Sequence, residues 1–208
     1  MFPFLSLKDE VIAEPDRAFI VDIGGGRGQS LLLIQQETSN AFGTSSKMIL
    51  QDRAVVLDST LQEAILGIEK MAYDFYTPQP IKSPPPYSLP AHLPPHSLTT
   101  TDAHIYYLRR ILHNYQDGVC ISILSNIAAA MGPTSRLLIA ELIVPARTAV
   151  GEDMDAYLMD MVMISIGGKE RDESGFGNLL GQVGLEAVRV WRAEVGQQSV
   201  IEARLKRG

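Results

Sequence analysis

Cysteine is nearly missing from this chain, and the one thiol, Cys120, excludes an internal disulfide and points to a reducing compartment. Cys120 lies in the apolar run VCISIL, where a small buried hydrophobe is the expected role and a nucleophile is not. No apolar run approaches the roughly 20 residues of a membrane helix. The opening MFPFLSLKDE carries Lys8, Asp9 and Glu10 where a leader peptide needs more apolar length. A cytoplasmic location is therefore expected, with no membrane partner. An excess of basic residues is also lacking: the formal net charge is -6, which excludes nucleic acid as an expected partner. No Cys/His/Asp group has the spacing of metal ligands, so no metal is expected, and no internal repeat is visible. What is present, 46% hydrophobic and 20% charged residues in 208, is enough for one globular domain with its own core.

Residues 1–17 are short and mixed and read as a frayed lead-in or the stub of a helix. AFIVDI (18–23) is a compact apolar run, as in a strand buried on both faces of a parallel sheet. A glycine turn at 24–28, a helix over 30–37 and a strand over 47–51 follow. Residues 58–71 have helical spacing, with Leu61, Ile65 and Ile68 on one side. After a turn at 73–80, the segment 83–101 holds six of the 12 prolines without apolar period, which predicts a loop or disordered insertion. Strand 103–108, helix 118–131, strand 135–140, helix 153–166 and helix 173–183 come next. Two closing strands, 188–195 and 198–203, read as an antiparallel pair around a turn at 196–197. This alternation predicts a doubly wound α/β sheet with helices on both faces.

The strongest local pattern is Asp22-Ile23-Gly24-Gly25-Gly26-Arg27-Gly28 between a strand and a helix. Glycines let the backbone approach a ligand with no Cβ in the way, and the next helix offers free N–H groups. The spacing Gly-x-Gly-x-Gly is one residue short of the dinucleotide fingerprint. An acid at position 22 suits an ammonium group and repels a pyrophosphate, which disfavours a nicotinamide-dependent oxidoreductase. Asp52 closes the second strand, where an acid can hold both ribose hydroxyls of an adenosine. Asp74 with Phe75 lies where an adenine could meet an aromatic face. His113, in LRRILHNY after a strand, is the candidate general base, since imidazole titrates near neutral pH. Glu141 ends strand 135–140 and Glu170 lies in GGKER; a carboxylate beside the imidazole would fix its tautomer. Met154, Met159, Met161 and Met163 crowd one helix and suit a flat aromatic ligand or a plain core.

In this order, FIVDIGGGRGQSLL, MILQDRAVVLD, YDFYTPQPIK, AHIYYLRRILHNYQD, SRLLIAELIVP and GGKERDESGFGNLLGQVGLEAVRVW resemble the caffeic-acid-type O-methyltransferases, with the flavour of the fungal secondary-metabolism branch. The resemblance runs from about residue 18 to 192. It implies a Rossmann-like catalytic domain over 18–208 that uses S-adenosylmethionine and a small aromatic or polyketide-like acceptor. Asp22, Gly24 and Gly26 would cradle the methionyl end of the cofactor, Asp52 its ribose, and Asp74 with Phe75 its adenine. Arg109 stands where the family usually has a lysine near the cofactor. His113 would take the proton of the acceptor hydroxyl, with Glu141 and Glu170 holding its ring, and Met161 and Met163 would line the acceptor pocket. A phenolic hydroxyl, with a pKa of about 10, suits an imidazole base better than an aliphatic alcohol.

Three departures from the family pattern stand out. The family's N-terminal dimerisation domain is expected to be absent, which implies a homodimer weakened relative to the family. The proline-rich segment 83–101 interrupts a stretch that the family runs almost directly from Lys82 to Ala103. Asn114 replaces the aspartate usual beside the catalytic histidine. These departures leave a competing expectation, a truncated non-catalytic remnant or pseudoenzyme that still binds cofactor.

Overall fold

A computed structural model describes residues 2–43, 46–82, 102–145, 147, 154–193 and 198–207. The proline-rich segment 83–101 and the turn at 196–197 lie outside the described residues.

Two short helical turns, Phe4–Leu7 and α1 (Lys8–Ala13), lead into β1 (Ala18–Ile23), α2 (Gln29–Phe42) and β2 (Met48–Asp52). Next come α3 (Ala54–Asp58), β3 (Ile68–Ala72), β4 (Ala103–Arg109), α4 (Asp117–Ala128) and β5 (Arg136–Leu142). The chain finishes with α5 (Asp155–Ser165), α6 (Glu173–Gln182), β6 (Leu185–Arg192) and β7 (Gln198–Leu205). The seven strands form one sheet in the order β3-β2-β1-β4-β5-β7-β6. β1 to β5 run parallel, and β7 is antiparallel to both β5 and β6. The expected doubly wound architecture with an antiparallel closing hairpin is what the sheet shows.

The continuous apolar strands are buried on both faces, as parallel strands between two helix layers must be. Alternation sorts their side chains: Tyr106 and Leu108 pack with α4 and α6, and Ile105 and Tyr107 pack on the side of α2 and the lead-in. At β1 the strand order reverses, since β2 lies on one side and β4 on the other. Ligands of such sheets bind in the crevice at the carboxyl ends of those strands.

Two expectations need correction. The helix expected over 58–71 does not form: α3 ends at Asp58, a single 3-10 turn covers Gln62–Ile65, and β3 begins at Ile68. Gly67, at φ 79°, breaks the run, and Leu61 is 71% exposed, so Leu61, Ile65 and Ile68 never share a face. The lead-in over 1–17 is the other: of its two readings the frayed one fails, and the stub of a helix is present as α1. Phe2, Phe4, Leu7 and Val11 are buried, with Phe2 edge-on to Trp191 at 5.6 Å and Phe4 edge-on to Phe19 at 6.4 Å. The Arg136 guanidinium donates two hydrogen bonds of 2.8 Å to Glu10 and so ties α1 to β5. Short amphipathic segments carry little periodic signal, and this one is ordered by aromatic burial.

Candidate active site

β1 delivers the glycine turn to the crevice. Gly24 has φ 70°, and a Cβ there would come within 2.6 Å of the Ile111 side chain, so only glycine fits. Gly26, at φ 61°, faces open space. The N–H groups of Gly24 and Gly25 donate to the Gln51 carbonyl, and that of Gly26 donates to Asp52 Oδ2 at 2.9 Å. Asp52 therefore braces the turn and stays half-buried at the crevice edge.

Asp74 and Phe75 sit across the crevice on the loop after β3. A cavity of about 400 Å³ is lined by Gly24, Asp52, Asp74, Phe75, Ile111 and Tyr115, among others. Phe75, Tyr76 and Tyr115 meet edge-on there, with ring centroids 5.0–6.3 Å apart. Burial pushes the neighbouring Tyr73 phenol up to about 12, and its hydroxyl donates to the Thr77 carbonyl. The loop is pinned from below by paired amides: Gln51 Nε2 donates to Gln79 Oε1 at 2.8 Å, and Gln79 Nε2 returns a bond of 2.9 Å. Sequence reasoning missed Tyr76, Tyr115 and Gln79; Tyr76, next to Phe75, and Tyr115, inside LHNY, had a neighbouring cue, and Gln79 had none.

Asp22 lies under the glycine turn, 1% exposed, and both its carboxylate oxygens lack a hydrogen-bond partner among the described residues. Burial pushes its pKa up to about 7, Arg109 acts against that rise, and Asp52 adds to it. A buried, unpartnered carboxylate next to a cradle with room for a ligand suits a cation. Arg109 is not brought into the Asp52 cavity. Its guanidinium contacts Ser30 Oγ at 3.3 Å and lines a separate space with Phe4, Tyr107 and Trp191.

His113 follows β4 on a 3-10 turn, Leu112–Asn114. Arg110, just before it, takes φ 54°, a left-handed conformation unusual for a side-chain-bearing residue. The Asn114 amide donates to the Arg110 carbonyl at 3.0 Å, a bond that a carboxylate could not make. Asn114 thus stabilises the strained turn. His113 Nδ1 lies 2.9 Å from Glu170 Oε1 and 4.0 Å from Glu141 Oε2. Glu141 Oε1 accepts the N–H groups of Ile111 and Leu112, at 3.0 and 2.9 Å. Burial pulls the imidazole pKa down, but the Glu170 hydrogen bond and the Glu141 charge outweigh it and hold it above its ordinary 6.5. Burial pushes Glu141 up to about 7, against the pull of His113 and with a further push from Glu170.

The Glu170 segment is locked to the His113 turn by its backbone. Lys169 N–H donates to the His113 carbonyl at 2.9 Å, and a Cβ at Gly168 would fall 2.2 Å from that oxygen. Arg171, which sequence reasoning also missed, donates to the carbonyls of Leu112 and Tyr115 at 3.0 and 2.7 Å. Met163 is buried and Met161 is 68% exposed. Two positions apart on a helix, their side chains leave on different faces, and neither lines the Asp52 cavity or the one beside Glu170.

The family model described as "O-methyltransferase domain" matches residues 96–186. "O-methyltransferase hmp5" of Hypomyces subiculosus is 53% identical over 207 residues, covering 100% of this chain and 47% of that protein. "Demethylsterigmatocystin 6-O-methyltransferase stcP" of Emericella nidulans is 31% identical over 201 residues, covering 96% of this chain and 85% of that protein. The crystal structure of OxaC in complex with SAH and oxaline superimposes with a TM-score of 0.77 at 32% identity, over 98% of this chain and 47% of that one. The chain thus spans about half the length of most of the relatives it matches. Among the described residues, no helix is long and apolar enough to cross a membrane.

Proposed function

The chain belongs to the O-methyltransferase family, and on that premise we propose that it methylates a phenolic or similarly acidic hydroxyl of a small secondary metabolite, with S-adenosylmethionine as donor and His113 as general base. One observation carries the reading: Ile111 lines the Asp52–Phe75 cavity, and two residues later the Glu170-bound ring of His113 stands at the same strand end.

The residues present fit the cofactor. Asp22 offers a buried carboxylate without a partner, the glycine turn leaves backbone space, Asp52 keeps acceptor capacity for hydroxyls, and Phe75 flanks the cavity. When bound, S-adenosylmethionine supplies a methyl group already made electrophilic by its sulfonium. The chain's own work is to position the acceptor oxygen and to remove its proton. With Nδ1–H donated to Glu170, the His113 Nε2 lone pair is free to take that proton. Glu170 fixes this tautomer, and the two carboxylates stabilise the imidazolium that results. Arg109 is proposed to act at the far end of the turn, through its field at Asp22. Met163, on the buried side of α5, is the methionine proposed to back the acceptor.

Calorimetry with S-adenosylmethionine and S-adenosylhomocysteine tests the reading. Micromolar binding of both supports it, and absence of any binding sinks it. Asp52→Ala is expected to weaken either ligand by about 1–3 kcal/mol, the scale of hydrogen bonds to a charged group. Unchanged affinity would remove Asp52 from the site.

Asp22 makes the affinity depend on pH. Its carboxyl is half-protonated at about 7 in the free protein, and a cationic ligand needs the carboxylate. Affinity should therefore fall about tenfold per pH unit below that value and level off above it. Binding at pH 7 should release about half a proton per ligand, read from heats in buffers of different ionisation enthalpy. Asp22→Asn should abolish both effects; if that variant keeps the wild-type slope, another group is responsible.

A further inference from the structure

We propose that His113, Glu141 and Glu170 also form a binding site for a zinc-class divalent cation, and that such an ion switches off the base. One atom from each residue, an imidazole nitrogen and two carboxylate oxygens, can be chosen so that all lie within 4.8 Å of one another. Sequence spacing shows no metal-ligand pattern here, because the donors come from the turn after β4, the end of β5 and the loop after α5. Glu141 Oε2 and Glu170 Oε2 are buried and have no hydrogen-bond partner among the described residues, and the His113 ring is only at ion-pair distance from the first, with Nδ1 4.0 Å from Glu141 Oε2. Leaving such oxygens dry and unpaired is costly, and a cation relieves it.

The donor chemistry selects the ion. One imidazole with two carboxylates suits zinc and its neighbours in the transition series, whereas magnesium prefers oxygen donors and retains its waters. Zinc bonds of about 2.0–2.2 Å around a tetrahedral ion need donors roughly 3.4 Å apart. His113 Nδ1 stands 2.9 Å from Glu170 Oε1 and 4.0 Å from Glu141 Oε2, so the required spacing falls between the two. Of the three residues, Glu170 borders a cavity, together with Asp160 and Asp172. Lys169 and Arg171 line it too, and both are paired with Asp117.

A neutral imidazole carries one N–H. A cation on Nδ1 occupies that nitrogen's lone pair, so the ring's proton must sit on Nε2. The nitrogen that would accept the acceptor's proton then already bears one. The loss of base function rests on the reading of His113 given above; the metal site itself does not.

Zinc chloride titrated into the full chain by calorimetry, with S-adenosylhomocysteine titrated in parallel, tests both separately. The expected result is one micromolar or tighter zinc site, no binding of magnesium, and affinity at least tenfold weaker in Glu170→Gln. Because Glu141 holds backbone N–H groups and its replacement can unfold the turn, a spectroscopic arm is added. Cobalt(II) should give the visible absorption of a four-coordinate ion in the wild type and lose it in Glu170→Gln. No zinc binding, or zinc affinity unchanged by Glu170→Gln, overturns the site. Zinc binding that depends on Glu170 upholds it even where S-adenosylhomocysteine fails to bind, and that failure counts against the cofactor reading alone.

Discussion

His113→Ala is expected to lower methyl transfer by about 10²–10⁴-fold, the usual worth of a positioned base, and to leave S-adenosylmethionine affinity nearly unchanged. The separation follows from geometry. The glycine turn, Asp52 and Phe75 line or brace the cavity proposed for the cofactor, whereas the His113 ring is held by Glu170. The pH profile carries a second signature. In the proposed role His113 would work as neutral imidazole, and its carboxylate neighbours hold its pKa above 6.5. The rate should therefore climb with pH through a value above that of free imidazole, and His113→Ala should erase this limb. Glu170→Gln should move the limb to lower pH, because the charge that favours imidazolium is gone. Equal losses of turnover and cofactor affinity in His113→Ala would show that the residue supports the cavity and not the proton transfer.

Arg171→Met should cost about 3–5 kcal/mol of stability, the scale for breaking a buried charged network. In a chain of this size that corresponds to roughly 10 °C in melting temperature. The guanidinium is nearly fully buried, and its donors satisfy the carbonyls of Leu112 and Tyr115. Methionine has similar reach and no donor, so those carbonyls stay dry and unpaired. The ion pair with half-exposed Asp117 contributes the smaller share, since water screens it. Arg171→Lys should recover only part of the loss, because one ammonium cannot span two carbonyls and a carboxylate as the planar fork does. A melting shift below about 2 °C in Arg171→Met would mean that the His113 turn stands without it.

The local pattern was informative where burial acts on consecutive residues. AFIVDI, AHIYYL and SRLLIA each announce a doubly buried strand, and each appears within two residues of its expected place. β3, with the sequence IEKMA, has neither a continuous apolar run nor strict alternation, so it was absorbed into a helical pattern that Gly67 ends. The candidate site divides in the same way. Gly24, Asp52, Asp74 and Phe75 line one cavity, Gly26 is tied to it through its N–H bond to Asp52, and Asp22 lies under the glycine turn. Arg109 turns to Ser30, and Met161 faces outward, because a one- or two-residue step changes the face on which a side chain leaves.

By itself, then, the sequence determined the alternation of strands and helices, the glycine turn and which strand ends bear acids, since those are set by local periodicity and backbone permissiveness. The pairing of His113 with Glu170, across 57 residues, was implied by the family resemblance and by no spacing. The tertiary structure alone decided the other partners: Gln51 meets Gln79 across 28 residues, and Arg171 reaches back 59 residues to Leu112. Such contacts depend on how three loops pack at one edge of the sheet, and no spacing along a chain encodes the closeness of residues that only the fold brings together.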